Sequence, residues 1–367
     1  MNIFLRGSSR RIKIIWSALF VVLDGFFFLV LLPEVTARIK LFADLAVNWA
    51  YFGLTWFIGC ALATLILAAV WLAAMILGKM LRLFSYEKAV SRAVFYGAFT
   101  GSMLLTFVVV LLGCGYYNIV YDKIVLKNWQ GDKSIRIAFV SDTHLGFDDN
   151  VQKLSVVCDE LISTKCDIAL FGGDFVDDMT MLPQAISELR RLAEKLPQGV
   201  LFVNGNGDCT DGNWRDTKQK LLANNIIVLS NKVVNIADIQ HPLLVVGVEY
   251  ASLNNGNAFN PELQKKYLAT AVAGLKNSDP KILLAHTPDL IESALPYHFD
   301  IMLFGHTHGG QVDLGFYRFM SREYQYISGK YEKGDSTIFV SNGIGQWFPA
   351  RVNVPQQIYI IDVYPGK

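Results

Sequence analysis

Seven side chains in this 367-residue sequence are of types that hold metal ions: Asp142, His144, Asp174, Asn206, His286, His306 and His308. Four of the chain's six histidines are among them. They arrive in five short motifs: Ser141-Asp142-Thr143-His144, Gly172-Gly173-Asp174, Asn204-Gly205-Asn206-Gly207-Asp208, a lone His286, and Gly305-His306-Thr307-His308. Imidazole combined with carboxylate suits manganese, iron or zinc better than calcium or magnesium alone. Seven ligands are too many for one tetrahedral ion. With one carboxylate shared, they supply four ligands to each of two ions. Two ions about 3.5–4 Å apart are the usual device for displacement at phosphorus. In an extended His-x-His segment, residues i and i+2 point the same way, so both imidazoles can face one pair of ions. Each motif alone is weak, since a DxH mostly marks a turn and a GGD a loop. Their succession carries the argument. His241, which precedes Pro242, and His298 read as ordinary structural histidines.

The elements that position these residues follow from apolar patterning. Short apolar runs at 135–140, 168–171, 200–203, 243–248, 282–285, 301–304, 337–340 and 358–363 read as strands. Amphipathic stretches at 151–163, 183–195, 214–223, 261–275 and 288–295 read as helices. Early alternation followed by clustered strands predicts an α/β layered domain with a mixed sheet. Every metal-ligand motif lies where a predicted strand ends, and ligand sites of α/β sheets lie outside the carboxyl ends of strands. The five motifs therefore point to one crevice.

Composition separates a second region. Overall, 52% of residues are hydrophobic and 18% are charged. That apolar content excludes a disordered chain, and a net charge of +1 gives no nucleic-acid footprint, so no nucleic-acid partner is expected. Residues 1–120 hold ten basic and four acidic side chains, whereas the rest hold 23 and 28. Three stretches in the first third are long enough to span a bilayer, which takes about 20 apolar residues. Membrane helices are expected at about 14–33, 50–77 and 94–117, a linker at 121–134, and the α/β domain at 135–367. Arg6, Arg10, Arg11 and Lys13 before the first span, with Lys79, Arg82, Lys88 and Arg92 between the second and third, mark the cytoplasmic side. Three crossings then put the C-terminal domain outside the cytoplasm, in a multi-pass membrane protein. Asp24 lies within the first span; helix contact is favoured over ion or proton transport, because no ionisable partner lies in the other spans. The five cysteines, Cys60, Cys114, Cys158, Cys166 and Cys209, form no CxxC site and no disulfide framework.

On these motifs the sequence resembles the calcineurin-like metallophosphoesterases, whose pattern is D-x-H, G-D, G-N-H-D/E, H and G-H-x-H. The stretches SDTHLG, FGGDFVDD, LLAHTPD, GHTHGGQV and SNGIG resemble a membrane-associated branch of the YkuE type, similar to UDP-2,3-diacylglucosamine hydrolases. The resemblance spans about residues 135–364. It implies a layered sandwich with mixed sheets, here preceded by a three-helix transmembrane region. It also implies two divalent ions: Asp142, His144, Asp174 and His308 would hold one, and Asp174, Asn206, His286 and His306 the other. Asp174, Asn206, His286 and Asp208 are the residues the resemblance connects with catalysis.

One position departs. The family's G-N-H-D reads Gly205-Asn206-Gly207-Asp208, so the imidazole that contacts phosphate and helps protonate the leaving group is missing. Three readings stay open: an active enzyme with another residue in its place, an engineered variant that traps substrate, and a site that binds without turnover. In the first, a metal-bridging hydroxide attacks phosphorus and the proton comes from solvent or His286. The expected function is a membrane-anchored phosphodiesterase or phosphatase acting on a lipid-linked or envelope phosphate ester. The alternative is a non-catalytic metal-holding sensor or scaffold. The bilayer and a phosphorylated small molecule or lipid are the expected partners. Phe316, Tyr317, Arg318, Phe319, Arg322, Tyr324, Tyr326 and Tyr331, followed by Trp347, Phe348 and Arg351, read either as a membrane-facing rim or as a covered hairpin.

Overall fold

The computed structural model describes residues 117–366, apart from 147–150, 210–212, 254–257, 314–317, 319, 321 and 348–350, together with residues 73 and 76. The chain divides after Val109 into two units, and the fold below is that of the second, Val110–Lys367. The spans expected at 14–33, 50–77 and 94–117, with Asp24, lie outside the described residues, save for the helical Ala73 and Ile76 and for Tyr117. Among the described residues no helix is long and apolar enough to cross a membrane.

Two six-stranded sheets build the domain. The first runs β1 (Tyr117–Leu126), β14 (Gln356–Pro365), β2 (Ile135–Val140), β3 (Ile168–Phe171), β4 (Val200–Phe202) and β5 (Ile227–Val228). The second runs β12 (Gly329–Lys333), β13 (Ser336–Val340), β11 (Ile301–Phe304), β10 (Lys281–Ala285), β7 (Leu244–Val248) and β6 (Lys232–Asn235). A small hairpin joins β8 (Ser252–Leu253) to β9 (Ala258–Phe259). The helices are α1 (Val151–Ser163), α2 (Leu182–Lys195), α3 (Asn206–Cys209), α4 (Trp214–Ala223), α5 (Pro261–Ala271) and α6 (Ile291–Ala294).

The period-two alternation of strands explains the layering. Ile137 and Phe139 of β2, Ile168 and Leu170 of β3, Ile282 and Leu284 of β10, and Ile301 and Leu303 of β11 fill one core between the sheets. Their neighbours Ala138, Val140, Ala169 and Phe171 face a second core with Leu154, Val157 and Leu161 of α1. Helix α2 adds Leu182, Ala185, Ile186, Leu189 and Leu192 to that core, a buried stripe at helical spacing. Leu283, Ala285, Met302 and Phe304 meet Leu268 and Ala271 of α5 in a third. The result is a four-layer sandwich, helix–sheet–sheet–helix. Complete burial of each Leu, Ile or Phe contributes about 1.5–3 kcal/mol.

Residues 121–134, expected as a linker, begin instead with the second half of β1. This ten-residue strand pairs in parallel with β14 from Tyr117↔Gln356 to Leu126↔Pro365. Ile124, Leu126 and Trp129 enter the core between the sheets. An apolar strand and the end of an apolar helix share one composition, so the uncharged run up to Tyr121 hid the boundary. The helix expected at 288–295 is three short turns, Pro288–Leu290, Ile291–Ala294 and Leu295–Tyr297.

Strands β2, β3 and β4 run parallel, as do β7, β10, β11 and β13. Each sheet therefore delivers several loops from the carboxyl ends of adjacent strands, and the two sets of loops meet.

Candidate metal centre

The meeting point is built from the predicted residues. Ligand atoms of Asp142, His144 and His308 lie within 4.8 Å of one another, and so do those of Asp174, His286 and His306. Asp174 joins the two groups: its Oδ2 is 3.4 Å from His144 Nε2 and 3.3 Å from His286 Nε2. Asn206 completes the second group, with Oδ1 3.1 Å from His286 Nε2. The sheets cross-link here, since His306 N donates to Asp142 Oδ1 at 2.9 Å and His286 Nδ1 meets the Gly172 carbonyl at 2.7 Å. A third group, Asp132, Asp238 and His241, is separate and not buried.

Five of the seven predicted ligands have left-handed backbone: Asp142 (φ 54°), His144 (42°), Asp174 (53°), His306 (72°) and His308 (49°). Such conformations are uncommon for residues with a Cβ and cost of order 1–3 kcal/mol each. Hydrogen bonds between neighbouring loops hold them. Asp142 N donates to Gly173 O (2.9 Å) and His144 N to Asp174 O (3.0 Å). Asp208 contributes most. Its carboxylate accepts from the backbone N–H groups of Asp174 (2.8 Å), Gly205 (2.8 Å) and Phe175 (3.0 Å). Asp208, expected among the catalytic residues, has both oxygens engaged in fixing the loops that carry Asp174 and Asn206.

The imidazoles have partners behind them. His144 Nδ1 faces both oxygens of Asp177, at 2.9 and 3.1 Å. His286 Nδ1 faces the Gly172 carbonyl, His306 Nε2 the Tyr324 hydroxyl at 2.8 Å, and His308 Nδ1 the Arg351 guanidinium at 3.2 Å. Because carboxylates and carbonyls only accept, His144 and His286 each keep a proton on Nδ1 and turn Nε2 inward. Such outer partners set the tautomer of metal-ligating histidines.

The electrostatics of the ligand set follow from burial and crowded charge. Burial disfavours a charged His144, but Asp177, Asp174 and Asp142 outweigh it and push the imidazole up to about 10. His286 likewise rises to about 9, against its burial, through Asp174 and Asp142. Burial and the charge on His286 push His306 down to about 3. Burial, His144 and Arg351 hold His308 well below the usual range. Burial opposes ionisation of Asp174, yet His286, His144 and His306 hold its carboxyl far below the carboxylate range. Each half thus sets an imidazole that holds its proton tightly beside one that releases it easily. Inward nitrogens 3.1 Å apart on His144 and His308, with Asp142 and Asp174 oxygens beside them, form a donor set that fits divalent cations.

Some predicted roles change. His286, expected as one source of the leaving-group proton, has both nitrogens engaged within the site. Arg351 is not a rim arginine: it is buried, and donates to the carbonyls of Asn342 (2.8 Å), Gly345 (2.6 Å) and Val354 (3.2 Å). Arg318 is paired with Asp313, and Tyr326 is buried with its hydroxyl against Glu292. Phe316, Tyr317, Phe319 and Phe348 lie outside the described residues. Asp177 and the pairing of Tyr324 with His306 escaped the sequence reading. Both sit in irregular loops, where no periodicity shows which way a side chain points.

Residues 135–310 match the calcineurin-like phosphoesterase family. An uncharacterized metallophosphoesterase of Helicobacter pylori is 30% identical over 244 residues, covering 64% of this chain and 61% of the relative. Bacillus subtilis YkuE, also an uncharacterized metallophosphoesterase, is 29% identical over 222 residues, covering 59% of this chain and 73% of the relative. Escherichia coli YaeI, named a phosphodiesterase, is 29% identical over 238 residues, covering 62% and 82%. The chain spans about three fifths of the length of the Helicobacter relative. It carries a calcineurin-like metallophosphoesterase domain.

Proposed function

We propose that the protein is a membrane-anchored phosphoester hydrolase that works with two divalent ions. One observation carries the reading: two buried ligand groups share Asp174 where the loops of both sheets meet. Asp142, His144, Asp174 and His308 would hold one ion, and Asp174, Asn206, His286 and His306 the other. Manganese, iron and zinc suit this mixture of imidazole and carboxylate. The chemistry two such ions would supply there is Lewis acidity, toward a water and toward charge on the phosphoryl oxygens. The chain's own part is to hold the ligands in place through Asp208, Asp177 and the Gly172 carbonyl.

The substrate class we infer is a lipid-linked or envelope phosphate ester, as a diester or a monoester. YaeI's name supports the diester. Three uncharged or nearly uncharged stretches before residue 121 support a bilayer anchor with the domain outside the cytoplasm. A bovine relative, 26% identical over 239 residues, is named a transmembrane protein with a metallophosphoesterase domain, in line with that anchor. The test is the full chain in detergent, loaded in turn with manganese, iron and zinc, with metal content measured alongside turnover of a chromogenic phosphodiester and monoester. Turnover that needs two ions per chain is expected. Gly207 favours a second reading, a metal-holding sensor or scaffold. Two bound ions with no turnover on any ester would decide for it.

A further inference from the structure

Position 207 borders the half of the site made by Asp174, His286 and His306. Gly207 N donates to Asp174 Oδ1 at 2.6 Å, and a Cβ built on Gly207 would stand 3.1 Å from that oxygen. Among the described residues no proton donor reaches from here. His286 has both nitrogens engaged. Asp208 accepts three backbone hydrogen bonds. Among the described residues, the half-buried Tyr324 brings a further polar group to the same half. Its hydroxyl is 2.8 Å from His306 Nε2, and its ring meets His306 edge-on at 5.5 Å between centroids. Tyr250 also packs on His286 and His306, at 6.0 and 6.4 Å between centroids, but it is buried and presents its ring.

The hydrogen inventory decides what the Tyr324 hydroxyl can do. His306 Nδ1 faces His286 Nε2 at 3.2 Å, inside the ligand group. A neutral imidazole that offers Nδ1 to a cation carries its hydrogen on Nε2. His306 Nε2–H therefore donates to the phenol oxygen. The phenol's own hydrogen is then directed elsewhere, and among the described residues His306 is the hydroxyl's only hydrogen-bond partner.

We propose that Tyr324 serves the leaving group, donating its O–H to the departing oxygen where Gly207 provides no imidazole. The proposal rests on the hydrolase reading above. In the step, a water oxygen bonds to phosphorus and gives one proton to solvent. The bond between phosphorus and the leaving oxygen breaks, with its electron pair remaining on that oxygen. The Tyr324 proton passes to the leaving oxygen, and the phenolate recovers a proton from water. A donor of this kind matters for alkoxide leaving groups and little for a nitrophenolate, which departs without help.

The experiment compares wild type with Tyr324→Phe, as full chain with two ions bound, on phosphoesters graded from p-nitrophenyl to alkyl leaving groups. The variant should lose about 10²–10⁴-fold on alkyl esters, the usual general-acid contribution, and keep its p-nitrophenyl rate within about threefold. Because removing the hydroxyl also removes an outer partner of His306, both proteins are compared at saturating metal, with two ions per chain verified in each. At saturating metal, an equal loss across the series or no loss at all would overturn the proposal, since Tyr324 would then at most position His306. If wild type holds two ions and hydrolyses no ester, the hydrolase reading falls and takes the proposal with it.

Discussion

Asp177 grips His144 Nδ1 with both carboxylate oxygens, at 2.9 and 3.1 Å. This contact fixes the ring so that Nε2 points at His308 Nε2 and Asp174 Oδ2. Asp177 is thus a positioning residue for the half of the site made by Asp142, His144 and His308. Removing such an outer partner usually costs 10–100-fold in metal affinity. Asp177→Ala should therefore weaken one of the two ions by about 10–100-fold and leave the other within about threefold. Competition with a chelating dye reads this directly; equal weakening of both ions, or of neither, would contradict the assignment.

Metal uptake should depend on pH, with a sign set by the histidines. In the metal-free site His144 and His286 hold protons up to about 10 and about 9. Ions must displace those protons, because a metal ligand is the neutral imidazole. Apparent affinity should therefore rise with pH from 6 to 9, by up to about tenfold per unit for each proton released. Proton release on metal addition, followed with an indicator in weak buffer, measures the stoichiometry. An affinity flat across this range would show that neither histidine is protonated in the empty site.

Chelation should lower thermal stability. An ion present at a hundredfold excess over its Kd adds about 2.7 kcal/mol. For a domain of roughly this size each kcal/mol shifts Tm by about 2–4 °C. Stripping one ion should thus lower Tm by roughly 5–10 °C, and the second should add to it. Scanning calorimetry on loaded and stripped full-length protein checks the value, and recovery on adding back metal separates it from irreversible damage.

Asp208→Asn should behave as a loop defect. The carboxylate accepts three N–H groups, two on Oδ2 and one on Oδ1. An amide turns one acceptor into a donor and leaves at least one buried N–H facing another. Each unsatisfied buried group costs about 1–3 kcal/mol. Lower Tm with weakened metal binding is the expected pair of changes. A variant that keeps both, yet loses turnover, would return Asp208 to a direct chemical role.

Much of this was legible in the sequence because the ligands sit where regular elements end. Strands 135–140, 168–171 and 301–304 and helix 151–163 coincide with the structure, since a buried parallel strand reads as a short apolar run. The seven ligand-type residues converge as their strand-end positions implied. What was hidden depends on direction or partner. β6 (KVVN) and β12 (GKYEK) are charged edge strands with no apolar run to announce them. Arg351 looks like a surface cation in sequence, yet the carbonyls of Asn342, Gly345 and Val354 keep it buried. Tyr324 was one aromatic among several, and only its 2.8 Å contact with His306 sets it apart.

The departure at Gly207 supplies the last test. Returning an imidazole there faces a steric cost, because the added Cβ would stand 3.1 Å from Asp174 Oδ1 and 3.3 Å from its Cγ. Asp174 has little room to retreat, since its backbone N–H is bonded to Asp208 and its side chain accepts from Gly207 N. Gly207→Ala measures that cost alone, and should weaken metal binding a few-fold through Asp174. Gly207→His adds the proton donor to the same cost. In a Tyr324→Phe background, Gly207→His should recover at least about tenfold on alkyl leaving groups relative to Gly207→Ala, part of the usual general-acid contribution, while the two differ little on the p-nitrophenyl ester. Rates measured at saturating metal separate this chemistry from ion loss. If the histidine and alanine variants behave alike across the whole leaving-group series, position 207 does not face the departing oxygen, and the site's proton path runs elsewhere.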